Sequence, residues 1–248
     1  MKYPNPQFSG MHQVTTSEID TKIIGYTSGL RKLDLLRTAT TLSELIDLCI
    51  ENYRAWADAV LMGAGAYLKI GKFPDEITKA KEYVKQEVLQ YLQGKPFSTA
   101  SEFDTWHKTI CVNLSDSAKF FAAYSAYRKD SKDKFKNRSG FTQGNAQKFL
   151  NMLMKDLYAY LHRIPGLLPG FEAYFHYCHM PLDSYILRFI DDIRYREGIC
   201  KQRTYTWSSL TDYDAYMEEQ NDIRHYVAKY NPGVTVLQTE FVVWELYK

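Results

Sequence analysis

The chain has 248 residues, with 31 Lys and Arg against 29 Asp and Glu, a formal net charge of +2, 45% apolar residues and 24% charged ones. That balance fits a globular domain and excludes a disordered or collagen-like chain, while a charge so close to zero neither requires nor excludes an anionic partner. No apolar run reaches the ~18–20 residues that span a bilayer, and the opening MKYPNPQFSG lacks the apolar centre of a secretory signal, so a cytoplasmic protein away from membranes is expected.

Helical signals dominate in chain order. Thr41-Leu42-Ser43-Glu44 has the form of a capping box and opens an apolar-periodic stretch to about Gly71, which the Gly63/Gly65 pair can bend. Pro74-Asp75-Glu76 opens a second helix that Gly94 stops, with proline early and glycine late. Thr99 to Glu102 repeats the capping pattern ahead of Trp106, and Ser115 is expected to open a helix to about Arg128. A polar break from Arg128 to Gly144 follows, with Arg128, Lys129, Lys132, Lys134, Lys136 and Arg138 against Asp130 and Asp133. A strongly amphipathic helix then spans about Asn145 to His162, followed by a loop with Pro165, Gly166, Pro169 and Gly170. Asp183 begins another helix that ends near Gly198, and Ser208 or Ser209 one that ends near Tyr230. Val234 to Lys248 reads equally as strand or helix, because its β-branched residues favour the first while Glu240, Trp244 and Leu246 can share a helix. One mostly α-helical domain over 1–248 follows, open to a division into two lobes of about 1–130 and 131–248. The four cysteines (Cys49, Cys111, Cys178, Cys200) are too widely spaced for a CxxC zinc site or an iron–sulfur run, so no metal or cofactor is expected.

Three segments carry chemistry. In the amphipathic helix, Ala146, Leu150, Leu153, Leu157 and Leu161 form an apolar stripe. Lys148 and Lys155, seven residues apart, lie about two turns apart on the opposite face with Asn151, Met152 and Ala159. Such a face is either solvated or the wall of a cleft. In Met180-Pro181-Leu182-Asp183, Asp183 stands at a helix N-cap, which is a sufficient structural role and also a rigid mount for a carboxylate. Near the C-terminus, Glu240 precedes Trp244 by four positions.

Taken in order, Gln147-Lys148, Lys155, Pro181-Leu182-Asp183 and Glu240 with Trp244 resemble the helix-hairpin-helix DNA glycosylases, and among them the archaeal 8-oxoguanine DNA glycosylase family. The 35-residue separation of Lys148 and Asp183 is similar to that family rather than to the shorter spacing of endonuclease III-like enzymes. The likeness covers about residues 140–248. It departs from the pattern where Gly140-Phe141-Thr142-Gln143-Gly144 replaces the usual Leu-Pro-Gly-Val-Gly hairpin, where Ile164-Pro165-Gly166 follows the lysine instead of preceding it, and where Glu240 replaces a shorter aspartate.

The resemblance implies a multi-helix glycosylase fold with a cleft, acting as a monomer on double-stranded DNA from which a nucleotide is flipped out. It implies that Lys148 attacks the sugar, that Asp183 assists as the carboxylate, that Lys155 supports as a second cation, and that Glu240 and Trp244 hold the base, with 8-oxoguanine-like purines favoured and strand nicking as a possible second step. Gly144 and Asn145 at the head of the lysine helix, with Lys134, Lys136 and Arg138, are the expected contacts to the DNA backbone. Two other readings stay open: a glycosylase for a hypermodified base in defence against phage, and a non-catalytic DNA-binding or adaptor protein of the same fold. In an unrelated all-α protein, Lys148 and Asp183 would never meet.

Overall fold

A computed structural model describes residues 14–29, 38–52, 55–60, 70–130, 140–201 and 203–248. These form α1 (Thr16–Gly29), α2 (Leu42–Asp47, continued by a π-helical turn over Leu48–Asn52), α3 (Ala55–Val60), α4 (Pro74–Gln93), α5 (Ala100–Ser115), α6 (Ala122–Asp130), α7 (Gln143–Arg163), α8 (Glu172–Phe175), α9 (Ser184–Arg196), α10 (Tyr213–Tyr230) and α11 (Val236–Tyr247). There is no strand among the described residues, and no described helix is long and apolar enough to cross a membrane.

The lysine helix, α7, is the axis of the molecule. Thr142 caps it, accepting the Asn145 amide at 3.1 Å while the Asn145 side chain returns to the Thr142 amide at 3.2 Å. Every residue from Gly144 to Leu161 is buried. Helices α1, α3 and α5 pack on it from the N-terminal half, and the short turn Trp207–Ser209 packs on it from the C-terminal half. Helix α11 packs in turn against α1, α9 and α10. The stripe Ala146, Leu150, Leu153, Leu157 and Leu161 is fully inside, and truncating one such leucine costs about 2–5 kcal/mol through lost transfer energy and the cavity left behind. The lysine face is equally inside, so it is not a solvated surface.

Several helix ends lie where the sequence puts them. Capping boxes at Thr41 and Thr99 and the Pro74 start are present, and Asp183 caps α9 by accepting the amides of Tyr185 and Ile186 at 2.8 and 2.9 Å. Two expectations are corrected and one open reading is resolved. Ser115 closes α5 instead of opening a helix. The next one, α6, is capped from elsewhere: the Glu76 carboxylate of α4 accepts the Ala123 and Tyr124 amides at 2.8 and 3.1 Å. Residues 207–209 make only a 3₁₀ turn, and Asp212 caps α10. Finally, 236–247 is helical, because Thr235 and Gln238 form a capping box that overrides the β-branched composition. The Gly63/Gly65 bend lies outside the described residues.

Candidate active site

Lys148 and Asp183 meet. The Lys148 ammonium donates to Asp183 Oδ2 at 2.9 Å, with side chains 8% and 14% exposed. The other carboxylate oxygen, Oδ1, is held by the two α9 amides, so the helix cap and the ion pair use separate lone pairs of one group and both roles coexist. Burial pushes the Asp183 carboxyl up, but the Lys148 ammonium and the Ile186 and Tyr185 amides outweigh it and hold it below the ordinary carboxylate range. At the rim of the pair, the half-buried Trp207 ring faces the Lys148 ammonium at 5.5 Å from its centroid.

Trp207 is placed there by a close approach that only glycine permits. A Cβ on Gly144 would lie 1.7 Å from the Trp207 carbonyl oxygen. The Gly144 amide donates to the Leu210 carbonyl at 2.9 Å, and the Thr142 hydroxyl to the Ser208 carbonyl at 3.1 Å. Upstream, Arg203 grips the buried Glu219 carboxylate of α10 at 3.1 Å, and the Tyr205 hydroxyl donates to the same group at 2.5 Å. The 203–210 segment is thereby fixed at both ends.

Two turns along α7, Lys155 occupies a second, drier compartment. Its ammonium donates to Glu240 Oε1 at 2.8 Å and lies 2.6 Å from Oε2, off the hydrogen-bond direction, with side chains 3% and 2% exposed. Three rings surround it, with centroids at 4.6 Å for Tyr26, 5.0 Å for Phe241 and 5.4 Å for Trp244. Burial raises the Glu240 carboxyl above its ordinary value in spite of Lys155, and Asp183 and Lys148 both lie close enough to bias it. The two ion pairs therefore feel each other's charge. Tyr185, in the first turn after Asp183, closes the gap by packing edge-on against Trp244 at 6.0 Å.

Next to Lys155 in sequence, Asp156 shares Tyr26 with it. Tyr26 donates to its Oδ1 at 2.5 Å, and its Oδ2 is buried with no hydrogen-bond partner. Burial holds this carboxyl well above the usual carboxylate range. Sequence reasoning missed Asp156 and Tyr26, because the docking of α1 against α7 and α11 is a long-range fact.

The expected site residues thus divide. Lys148, Asp183, Lys155, Glu240 and Trp244 are brought into one contiguous cluster. Lys155 is committed to Glu240 rather than presented to Lys148 as an unpaired cation. Gly144 and Asn145 are withdrawn from the expected phosphate contact. Both are buried, the Gly144 amide is spent on Leu210, and the Asn145 amide is spent on Thr142 while its side chain donates to the Ala59 carbonyl at 2.8 Å. Lys134, Lys136 and Arg138 lie outside the described residues.

No protein-family model, curated protein or solved structure matches the chain. What is established is a mainly helical protein, without strands among its described residues, in which a buried lysine meets a half-buried aspartate at the junction of two helices.

Proposed function

We propose that the protein is a DNA glycosylase of the helix-hairpin-helix type, which removes a damaged or modified base through a lysine Schiff base. The observation that carries the reading is the 2.9 Å contact between Lys148 and Asp183, two groups 35 residues apart in sequence whose chemistry is complementary for that reaction. A bare structural ion pair gains little over apolar packing at a buried position, so a pair kept at the edge of the interior calls for a use.

The chemistry follows from the groups present. Lys148 gives up a proton, its amine forms a bond to the sugar C1′, and the C1′–base bond breaks, with the departing base taking the electron pair and a proton. Opening of the sugar ring moves the second amine proton to the ring oxygen and leaves a Schiff base. Loss of a C2′ proton then expels the 3′ phosphate and nicks the strand. Asp183 keeps its two hydrogen bonds from the Tyr185 and Ile186 amides when Lys148 becomes neutral, and its carboxylate opposes the positive charge that develops on the sugar. The base stacks on the half-buried Trp244 ring at the outer side of the neighbouring compartment, whose Lys155–Glu240 pair stays closed behind it, and 8-oxoguanine-like purines are the favoured substrates by the resemblance.

The test is base release and nicking on duplex oligonucleotides carrying 8-oxoguanine, other lesions or an abasic site. Wild type converts at least one, and Lys148→Gln and Asp183→Asn do not. A wild type inert on the whole panel, or a Lys148→Gln variant as active as wild type, refutes the reading.

A further inference from the structure

Between His179 and Asp183 the chain belongs to no helix, yet it carries the carboxylate of the ion pair, whose own backbone is extended. Two glutamine side chains take the place of a neighbouring strand. Gln220 of α10 accepts the Met180 amide at 3.1 Å and donates to the Met180 carbonyl at 2.8 Å. Gln147 of α7 accepts the Leu182 amide at 3.2 Å and donates to the Leu182 carbonyl at 3.2 Å. Gln147 precedes Lys148, and Leu182 precedes Asp183, so this one amide couples the backbone positions of both partners.

The orientation of the Gln147 amide is not free. Its Nε2 also donates to the Gly144 carbonyl at 3.0 Å, and its Oε1 also accepts from Asn151 Nδ2 at 3.1 Å. Asn151 in turn donates to the Tyr216 hydroxyl at 2.9 Å, and its Oδ1 lies 2.9 Å from His107 Nε2. Tyr216 faces His179 Nδ1 at 2.7 Å, and His179 Nε2 faces Asp104 at 2.8 Å, where Arg224 holds the same carboxylate at 2.6 Å. With the ionised Asp104 carboxylate at 2.8 Å, rather than the Arg224 Nη2 at 3.0 Å, as the partner of His179 Nε2, one direction runs through the chain: His179 donates to Asp104, Tyr216 to His179, Asn151 to Tyr216 and to Gln147, and His107 to Asn151, with Tyr213 lying 2.7 Å from His107 Nδ1 as its donor. Flipping Gln147 would set donor against donor at Leu182 and Asn151, and acceptor against acceptor at Leu182 and Gly144. Gln147, Asn151, His107, His179 and Tyr216 are all buried, so water cannot repair such a fault.

We infer that Gln147 is a positioning residue: its side-chain amide, locked by the buried relay from Asp104, sets the register of the 179–183 segment on α7 and so delivers Asp183 to Lys148. For its catalytic consequence this rests on the glycosylase reading. For its geometric consequence it does not. Reactive geometry is unforgiving, since a displacement of about 1 Å can cost on the order of a hundredfold in rate.

The experiment uses Gln147→Met, which keeps the volume and removes both contacts to Leu182, and Gln147→Glu, which keeps the acceptor and loses the donor. Val84→Ala, a fully buried truncation in α4, serves as a control for stability loss alone. Two quantities are read in the intact chain: the titration of the Asp183 carboxyl by ¹³C NMR, and the single-turnover rate of borohydride trapping on an abasic-site duplex at saturating DNA. In both Gln147 variants the Asp183 titration moves up toward the ordinary value of about 3.9, the trapping rate falls about tenfold to a hundredfold, and DNA affinity is unchanged. Val84→Ala moves neither. Wild-type titration and trapping in Gln147→Met overturn the inference, as does an equal change in Val84→Ala. If the wild type is never trapped, the glycosylase reading falls, and the NMR shift alone still decides the positioning role. Should Gln147→Met fail to fold, Gln147→Glu is scored by the same two readings.

Discussion

Replacing Glu240 by Gln removes one charge of a pair sealed from water and leaves the other in place. Lys155 and Glu240 are 3% and 2% exposed, in contact at 2.6–2.8 Å, with three rings closing the remaining sides of the ammonium. The rings offset part of the loss, about 0.5–2 kcal/mol for such contacts, but they cannot replace a carboxylate. Breaking a buried pair by removing one partner costs about 3–5 kcal/mol. For a chain of this size that corresponds to a drop in Tm of very roughly 6–20 °C, taking about 2–4 °C per kcal/mol. Urea unfolding followed by circular dichroism and tryptophan fluorescence measures the difference. The paired replacement Lys155→Met with Glu240→Met recovers most of the loss, because it removes both desolvation costs together. A Glu240→Gln loss of under about 1 kcal/mol, the value of an exposed pair, would show that the compartment is open to water and refute this reasoning.

Asp156→Asn is expected to stabilise the protein at neutral pH. The folded carboxyl titrates well above its unfolded value, so its contribution to stability is complete below the unfolded pKa and is lost at about 1.4 kcal/mol per pH unit as pH rises toward the folded pKa. Urea unfolding at pH 4.5 and pH 7 should show the advantage of Asn growing with pH, and a constant difference contradicts the assignment. His179 has the opposite sign, since burial lowers its pKa to about 4. Its contribution is present above about pH 6.5 and is lost as pH falls toward 4, so His179→Gln should flatten the acid side of the stability profile, and an unchanged slope speaks against it. Gly144→Ala places a methyl group against the Trp207 carbonyl. A loss of about 1–3 kcal/mol or more, with a changed tryptophan emission spectrum, is expected, and a variant with wild-type stability and emission would contradict the packing described.

Local signals were legible in the sequence at several helix starts whose capping partner is a near neighbour. The boxes at Thr41 and Thr99 and the Asp183 cap are satisfied within three residues of the capping side chain. The same kind of box at Thr142 and Thr235 lacked the usual Glu, with Asn145 and Gln238 in its place, and those helix starts were less legible for that reason. Signals that depend on distant partners were not legible at all. The α6 cap comes from Glu76, 47 residues away, and the Asp156 partner comes from Tyr26, 130 residues away. The lysine face of α7 looked as suitable for water as for a cleft, because the periodicity of one helix cannot show that neighbours surround it completely. It was the resemblance to the glycosylases, and not the periodicity of any one helix, that grouped Lys148, Asp183, Lys155, Glu240 and Trp244. The assignment of Gly144 and Asn145 to phosphate did not follow, because the 207–210 turn that takes up the Gly144 amide lies 66 residues downstream along the chain and only folding brings it there.

The central claim is that the Lys148 amine becomes covalently attached to a nucleotide. Reducing the reaction mixture with borohydride, digesting the protein and mapping the adduct by mass spectrometry tests it most directly. A single modified peptide bearing the deoxyribose remnant on Lys148, absent from Lys148→Gln and diminished in Asp183→Asn, is the predicted result. An adduct on any other lysine, or none with any damaged or abasic duplex, would contradict it.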